Sequence, residues 1–331
     1  MKKILSLVLI AALAMTMFTA CGSKGVKTGL AVISSAGSSK DATDEKDGLA
    51  QVDSTAVAVL VDDKGVIKNI AIDVIQTKFN FSATGEITTD LAKRFDSKKA
   101  LGDDYNMRAA SPIGKEWDEQ AEALEQYVIG KTVAEVKGIA LDGGYPTDED
   151  LTSSVTMNIS NIIAAIEKAV NNAKDLGANP DDKLGLGITS VSGKSTKNAS
   201  EEGDGNVQAY SHYSAVSLDK NGKITSSIID ASQTNVAFNI EGKLTSELTG
   251  DFKTKLELGN DYNMKGASPI GKEWFEQSEA FSNYMKGKTI SDITGLALEN
   301  NVATDKDLVS SVTITINDFI TTVERAGAVA K

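Results

Sequence analysis

The side chains with the most chemical potential gather in one stretch, where Asp104, Tyr105, Met107, Lys115, Glu116 and Trp117 stand within fourteen positions of one another. The same types return as Asp261, Tyr262, Met264, Lys272, Glu273 and Trp274. Tyrosine and tryptophan offer a flat apolar face with a polar handle, on which a planar ring such as a flavin or quinone can stack. The same grouping suits a structural corner, with Trp117 in the core. Much other chemistry is excluded by composition. The chain has one histidine, His212, and one cysteine, Cys21, so Cys/His metal sites and histidine-dependent serine or cysteine triads are not available to it. Demanding reactions would need carboxylates or a borrowed cofactor. His212 aligns with Thr55 near a strand start, which gives it a local role.

Some motifs mislead. Gly130-Lys131-Thr132, Gly287-Lys288-Thr289 and Gly193-Lys194-Ser195 end like phosphate loops, but the glycine needed five positions earlier is Glu125, Ser282 and Ile188. The acidic run from Asp41 to Gly48 lacks the alternating ligands and terminal Glu of a calcium loop and reads as a solvated surface segment.

These residues must be positioned by a small set of elements. Thr55 to Val61 is apolar and β-branched, Asp62-Asp63-Lys64-Gly65 is a turn with glycine at a positive φ, and Val66 to Ile75 resumes as a strand, which together predict a β-hairpin. Asp219-Lys220-Asn221-Gly222 marks a second. Ser111-Pro112 reads as a helix start, with Trp117, Ala121, Leu124 and Val128 on one stripe behind it. Ser153-Ser154 precede a helix carrying Ile159, Ile162, Ile163, Ile166, Ala169 and Val170, matched later by Ile316, Phe319, Ile320 and Val323. Strands followed by helices predict an α+β fold.

All of this occurs twice. From Asp104 to Gly130, 18 of 27 residues are identical to those 157 positions later, and the register runs from about Ser54 to the last helix. One single-residue slip carries it back to Gly29-Leu30, which match Gly185-Leu186. Such a period is that of a whole domain of roughly 150 residues, which buries about two-thirds of its surface. The reading is two tandem copies of one domain, each an antiparallel sheet with packed helices, at 28–176 and 183–331, joined by a linker at 177–182.

The N-terminus has a different character. Met1-Lys2-Lys3 is basic, Ile4 to Phe18 is almost wholly apolar, and Thr19-Ala20-Cys21 is small, the pattern of a signal peptide over 1–20. The apolar run is shorter than the roughly 20 residues a membrane span needs. Phe18-Thr19-Ala20-Cys21 resembles the lipobox of bacterial lipoproteins, although Phe18 stands where that family usually has Leu. The resemblance implies cleavage before Cys21, lipidation of its sulfur, a tether over 21–27, and a protein held on the extracytoplasmic face of the cell membrane. Tandem-domain lipoproteins of Gram-positive bacteria look similar. The formal net charge of −12, or −14 without Lys2 and Lys3, disfavours nucleic acid as a partner.

The segments Asp150-Leu151-Thr152-Ser153-Ser154-Val155-Thr156 and Asp307-Leu308-Val309-Ser310-Ser311-Val312-Thr313 resemble the signature of the FMN-binding domain family, as do the preceding hairpins. In that family an Asp, two variable residues, Ser or Thr, Gly, Ala and a final Thr or Ser precede a helix, and the last hydroxyl can receive FMN from a flavin transferase. The resemblance implies a cofactor site at Asp150, Ser153, Ser154 and Thr156 and at Asp307, Ser310, Ser311 and Thr313, with Thr156 and Thr313 as attachment residues. A helix N-terminus suits a flavin phosphate. Where the family has Gly-Ala this chain has Ser154-Val155 and Ser311-Val312, and the serines also fit as helix caps. Three roles stay open: a flavin-based electron carrier with a membrane redox partner, a lipoprotein binding a small molecule or peptide without redox change, and a structural surface module. Binding or electron transfer is favoured over catalysis.

Overall fold

The computed structural model describes residues 25–331; the signal segment and Cys21 lie outside the described residues. The chain is a mixed helix-and-strand fold in which every strand pairing is antiparallel. Strands β1 (Lys27–Ser35), β2 (Gly48–Val61) and β3 (Ile67–Phe81) form one meander. They are followed by β4 (Phe95–Asp96), α1 (Lys98–Leu101), α2 (Trp117–Val128), α3 (Val133–Lys137), the small hairpin β5 (Leu141–Asp142) and β6 (Tyr145–Pro146), α4 (Glu149–Thr152) and α5 (Ser160–Asn171). The second half repeats this with β7 (Lys183–Ser192), β8 (Gly205–Leu218), β9 (Ile224–Phe238), α6 (Lys255–Leu258), α7 (Trp274–Met285), α8 (Ile290–Thr294), β10 (Leu298–Glu299), β11 (Val302–Ala303), α9 (Lys306–Val309) and α10 (Asn317–Val329). Residues 177–182 contain neither helix nor strand.

The hairpin turns lie where glycine predicts them, with Gly65 and Gly222 at φ 76° and 75°. The strands run longer than their β-branched cores suggest, because both faces of each sheet are covered. In β2, Val57, Val59 and Val61 pack under α2 and α5, whereas Ala56, Ala58 and Leu60 face the other sheet. Helices α7 and α10 cover the second sheet in the same way through Trp274, Phe281, Phe319 and Val323. The result is four layers, helices–sheet–sheet–helices. The outer helices approach very closely: a Cβ on Gly185 would lie 1.8 Å from the Ala326 carbonyl oxygen of α10.

The middle layer contact belongs to both halves. Phe81 and Phe238 stack with centroids 4.2 Å apart and planes 8° from parallel. Ala42 N–H donates to Gly242 O and Ala199 N–H to Gly85 O, at 2.8 and 2.9 Å. Leu244 N–H donates to Asp41 and Ile87 N–H to Asn198, both at 2.9 Å. In each pair of contacts the two are related by the 157-residue offset. β4 from the first half also adds to the edge of the second sheet, pairing with β7. The largely exposed 41–48 loop thus reaches the second half through Asp41 and Ala42, while its Asp47 accepts the Thr88 hydroxyl within the first half at 2.6 Å.

Two sequence expectations need correction. Ser111-Pro112 lies in a turn, and α2 begins six residues after Ser111, capped by Glu116. His212 sits mid-strand in β8 and is 2% exposed; the strand starts earlier, since its pairing with β9 already begins at Gly205 opposite Phe238. Among the described residues no helix is long and apolar enough to cross a membrane.

Candidate functional site

The two hydroxyl runs close a one-turn helix rather than open a long one. Asp148 and Asp305 cap α4 and α9, accepting the N–H of Asp150 and Asp307. Ser153 and Ser310 end these helices and are exposed, while Ser154 and Ser311 donate back to the carbonyls of Leu151 and Leu308 at 3.2 Å. Helix α5 begins at Ser160, four residues beyond Thr156, after Ile159, which makes no side-chain cap. The helix dipole is thus displaced from Thr156. The replacements Val155 and Val312 point into the core, both fully buried, so they do not obstruct the surface.

The threonines are tied to the central stretch by glutamine. Gln120 Oε1 accepts Thr156 N–H at 2.8 Å and its hydroxyl at 3.3 Å, while Gln120 Nε2 donates to Ser111 Oγ and Lys115 O. Gln277 does the same for Thr313, at 2.8 and 3.2 Å, and for Ser268 and Lys272. Both glutamines are fully buried. Glu116 and Glu273 cap α2 and α7 and accept the N–H groups of Met107 and Arg108, and of Met264 and Lys265. Burial pushes these carboxyls up, but the backbone donors outweigh it and hold them below the usual range. Their role is to fix the loop, and Trp117 is core, as the stripe predicts.

What the loop then surrounds is a lysine that the sequence reading passed over. Lys255, at the start of α6, is 4% exposed. Its Nζ lies 4.5, 4.7 and 5.3 Å from the rings of Tyr210, Tyr262 and Trp274, and donates to Tyr210 Oη at 2.7 Å. Cation–π attraction helps to hold such an ammonium. Burial pushes its pKa down to about 7, opposed by Asp230. Burial also pushes Tyr210 and Tyr262 up, so both stay protonated. These residues open into a cleft of about 600 Å³ that Met264, Ile314 and Thr315 help to line, immediately after Thr313. Lys194, Asn300, Asn301 and Asn317 also line it and provide polar donors.

The first half has a related but altered centre. Lys98 lies 4.6 and 5.2 Å from Tyr105 and Trp117, and burial lowers it to about 8 against the pull of Asp53 and Asp73. Asp53 stands where Tyr210 stands, and its carboxylate binds Gln51, Gln76 and Ser38. Asp318, which lines the second cleft, is 3.9 Å from His212 Nε2 and is bound by Arg94 of the first half at 2.8 Å. Burial pushes His212 down to about 3, so it is neutral, and its Nδ1 has no protein partner. The signal for the missed lysines was present: Lys98 and Lys255 keep the same place seven residues before Tyr105 and Tyr262. Among the described residues no cluster of metal-ligating side chains occurs.

No family model matches the chain, and no solved structure matches it. A stretch of 95 residues is 36% identical to a chlorophenol reductase of Desulfitobacterium hafniense, covering 25% of this chain and 29% of that protein. The match spans under a third of that relative's length.

Proposed function

We propose that this protein is a lipid-anchored, extracytoplasmic carrier of a planar redox ring, FMN by its resemblance to the FMN-binding domain family, and that the ring is held in the second-half cleft. The observation that carries this reading is the aromatic cleft itself: three rings around one buried lysine, beside the segment that bears Thr313. Its volume of about 600 Å³ lies within the range of small-molecule and cofactor sites. Half-buried Tyr262 offers a stacking face over the buried Trp274, and Lys255 offers a hydrogen bond or positive charge to an electron-rich edge of a ring. Bound FMN would supply one- and two-electron transfer. The protein's part is to orient the ring, exclude water and fix the charge beside it.

The fit is better for a ring held without a covalent bond than for a phosphoester. Thr313 is half-buried, its hydroxyl is engaged by Gln277, and the helix N-terminus is displaced from it. Local similarity to a reductase supports a redox role over a purely structural one. We further propose that the chain derives from two tandem copies of one unit, supported by the recurrence of element bounds at a spacing of about 157 residues. Cleavage and lipidation at Cys21, a flavin transferase and a membrane redox partner belong to the same reading.

The test is absorption and intact mass after incubation with FMN or FAD, with and without a flavin transferase. Flavin bands without added mass, weakened by Tyr262→Ala and shifted in potential by Lys255→Met, support the reading. Added FMN mass lost in Thr313→Ala supports covalent attachment. A colourless protein with no affinity for flavin or quinone refutes it, leaving a non-redox binding lipoprotein or a structural module.

A further inference from the structure

The charge of the second-half aromatic cleft is set partly from the first half. Among the described residues that line this cleft, Lys194 and Lys255 are its cations and Asp318 is the only carboxylate. Asp318 does not present a free charge. The Arg94 guanidinium, carried by the first-half segment that adds β4 to the edge of β7, lies 2.8 Å from Asp318 Oδ1 and donates to Thr189 Oγ1 at 3.2 Å. The Asp318 side chain is only 16% exposed, so the pair is shielded from solvent more than a surface ion pair and its two charges largely cancel at the distance of a ligand. His212, 3.9 Å from Asp318 Oδ2, is neutral and adds no charge. Asp230 acts on Lys255 from a second cleft, of about 650 Å³ between β1 and β9, and does not line this one. What remains at the exposed rim is the charge of Lys194.

The rim residues are peculiar to the second half. Lys194, Asn300, Asn301 and Asp318 stand where the first half has Gly37, Gly143, Gly144 and Asn161, and the position matching Arg94 is Asp251. Asn300 and Asn301 keep left-handed φ values of 49° and 66°, where Gly143 and Gly144 adopt 55° and 91°. That backbone favours glycine, so the two asparagines are held against local preference. They place two exposed amides in the wall that the exposed Lys194 ammonium shares. An ammonium and two amide N–H donors on one rim suit an anionic oxygen.

We infer that Arg94 is a positioning residue for the second-half cleft: by holding Asp318 it lets the rim take the anionic end of the ring ligand, a phosphate monoester on Lys194, Asn300 and Asn301, while the ring lies against Tyr262 and Lys255. The inference rests on the flavin reading above. It adds that the site is a product of both halves, with its preference for an anion set by a residue that does not line the cleft.

The experiment measures the affinities of FMN and riboflavin, which differ by the phosphate alone, from the quenching of flavin fluorescence on titration with the protein near neutral pH. FMN is expected to bind about tenfold more tightly or better, with a preference that shrinks as salt is raised. Arg94→Gln uncovers the Asp318 charge and should weaken FMN binding by about tenfold while riboflavin binding changes little. Adding Asp318→Asn removes the uncovered charge and should restore the FMN preference, a rescue that a merely structural role for Arg94 does not give. Arg325→Gln breaks another ion pair between the halves, that with Asp96, and should leave the ratio unchanged. Should Arg94→Gln alone not fold, Asp318→Asn with Arg94 retained leaves the guanidinium uncancelled and should raise the FMN preference. Riboflavin binding as tightly as FMN, a preference that survives Arg94→Gln, a loss that Asp318→Asn does not repair, or no rise in Asp318→Asn alone would overturn the inference and leave the flavin reading standing. Binding of neither flavin refutes the flavin reading and this inference with it.

Discussion

Replacing Phe238 with alanine removes a ring that is fully buried and stacked 4.2 Å from Phe81 across the junction of the halves. Truncating a buried Phe costs about 3–5 kcal/mol, part of it the aromatic pair itself. The local packing argues for the upper part of that range. The Phe238 ring lies flat on Gly205, where a Cβ would come within 2.6 Å of it, and Phe81 lies on Gly48 at 2.4 Å in the same way. Backbone on one side and a second ring on the other leave little that can collapse into the space. About 4 kcal/mol corresponds to roughly a thousandfold in the folding constant. The chain has two tryptophans, Trp117 under the first sheet and Trp274 under the second. Urea unfolding of the Trp274→Phe and Trp117→Phe backgrounds therefore reports each half separately. Phe238→Ala should lower the midpoint of both reporters together, because the rings belong to one shared core. A shift confined to the Trp274 reporter, or a cost below about 1 kcal/mol, would refute that reasoning and show that the halves unfold on their own.

Gln277→Ala should destabilise the protein by about 1–3 kcal/mol in urea unfolding, since it strands the buried N–H of Thr313 and frees the 268–272 turn. Gly185→Ala forces a methyl to within 1.8 Å of a helix carbonyl and should cost about 1–3 kcal/mol by the same assay, whereas Gly250→Ala, which meets nothing nearby, should be close to neutral. In a pH titration of isotope-labelled lysine, Lys255 should titrate near 7 and Lys98 near 8. Because the folded value of Lys255 lies below its unfolded value of 10.5, the unfolded state holds more protons in between. Its contribution to stability is therefore present above about 10.5 and is lost as pH falls through about 7, and Lys255→Met should flatten that slope. Asp230 has the opposite sign: its folded value is raised from 3.8 to about 7, so its contribution is present below about 3.8 and is lost as pH rises through about 7, a dependence that Asp230→Asn should remove.

Local patterns in the sequence were legible where one neighbour decided the outcome. The Asp62 to Gly65 turn needs only a positive φ, and the Trp117 stripe needs only helical periodicity, so both could be read from spacing. The start of α2 was misplaced because Pro112 suits a helix start in isolation, whereas the deciding contact is Glu116 accepting N–H groups from Met107 and Arg108, residues outside the helix. The hydroxyl runs were legible as a recurring feature, but the reason for their recurrence was not. Gln120 and Gln277 link each threonine to a turn some 40 residues earlier, a contact that no local pattern contains. The cage escaped for the same reason: Tyr210 comes from β8, Lys255 from α6 and Trp274 from α7. The repeat established which residues recur, but only packing separates recurrence for structure, as at Glu116, from recurrence around an accessible cleft, as at Lys255.

Differences between equivalent positions therefore say more about function than the identities do. Identical residues such as Gln120 and Gln277 serve the same internal bonds, and these would be retained whatever the protein binds. The changed ones alter access. Asp53 to Tyr210 exchanges a carboxylate satisfied by Gln51 and Gln76 for a third aromatic wall around the lysine. Lys99 to Leu256 and Glu125 to Ser282 exchange a buried ion pair for open volume beside a carboxyl. The first change encloses Lys255 more fully than Lys98, and the second opens volume where the first half keeps a buried ion pair. A buried charge without its partner is costly to keep. Lys255 lines the aromatic cleft and Asp230 the cleft between β1 and β9, and each is partnered, Lys255 by Tyr210 and the charge of Asp230, and Asp230 by the N–H groups of Ala231 and Leu256. The cleft between β1 and β9 is lined from both halves, by Leu30 and Val32 as well as by Leu256 and Phe275, so neither half alone supplies it.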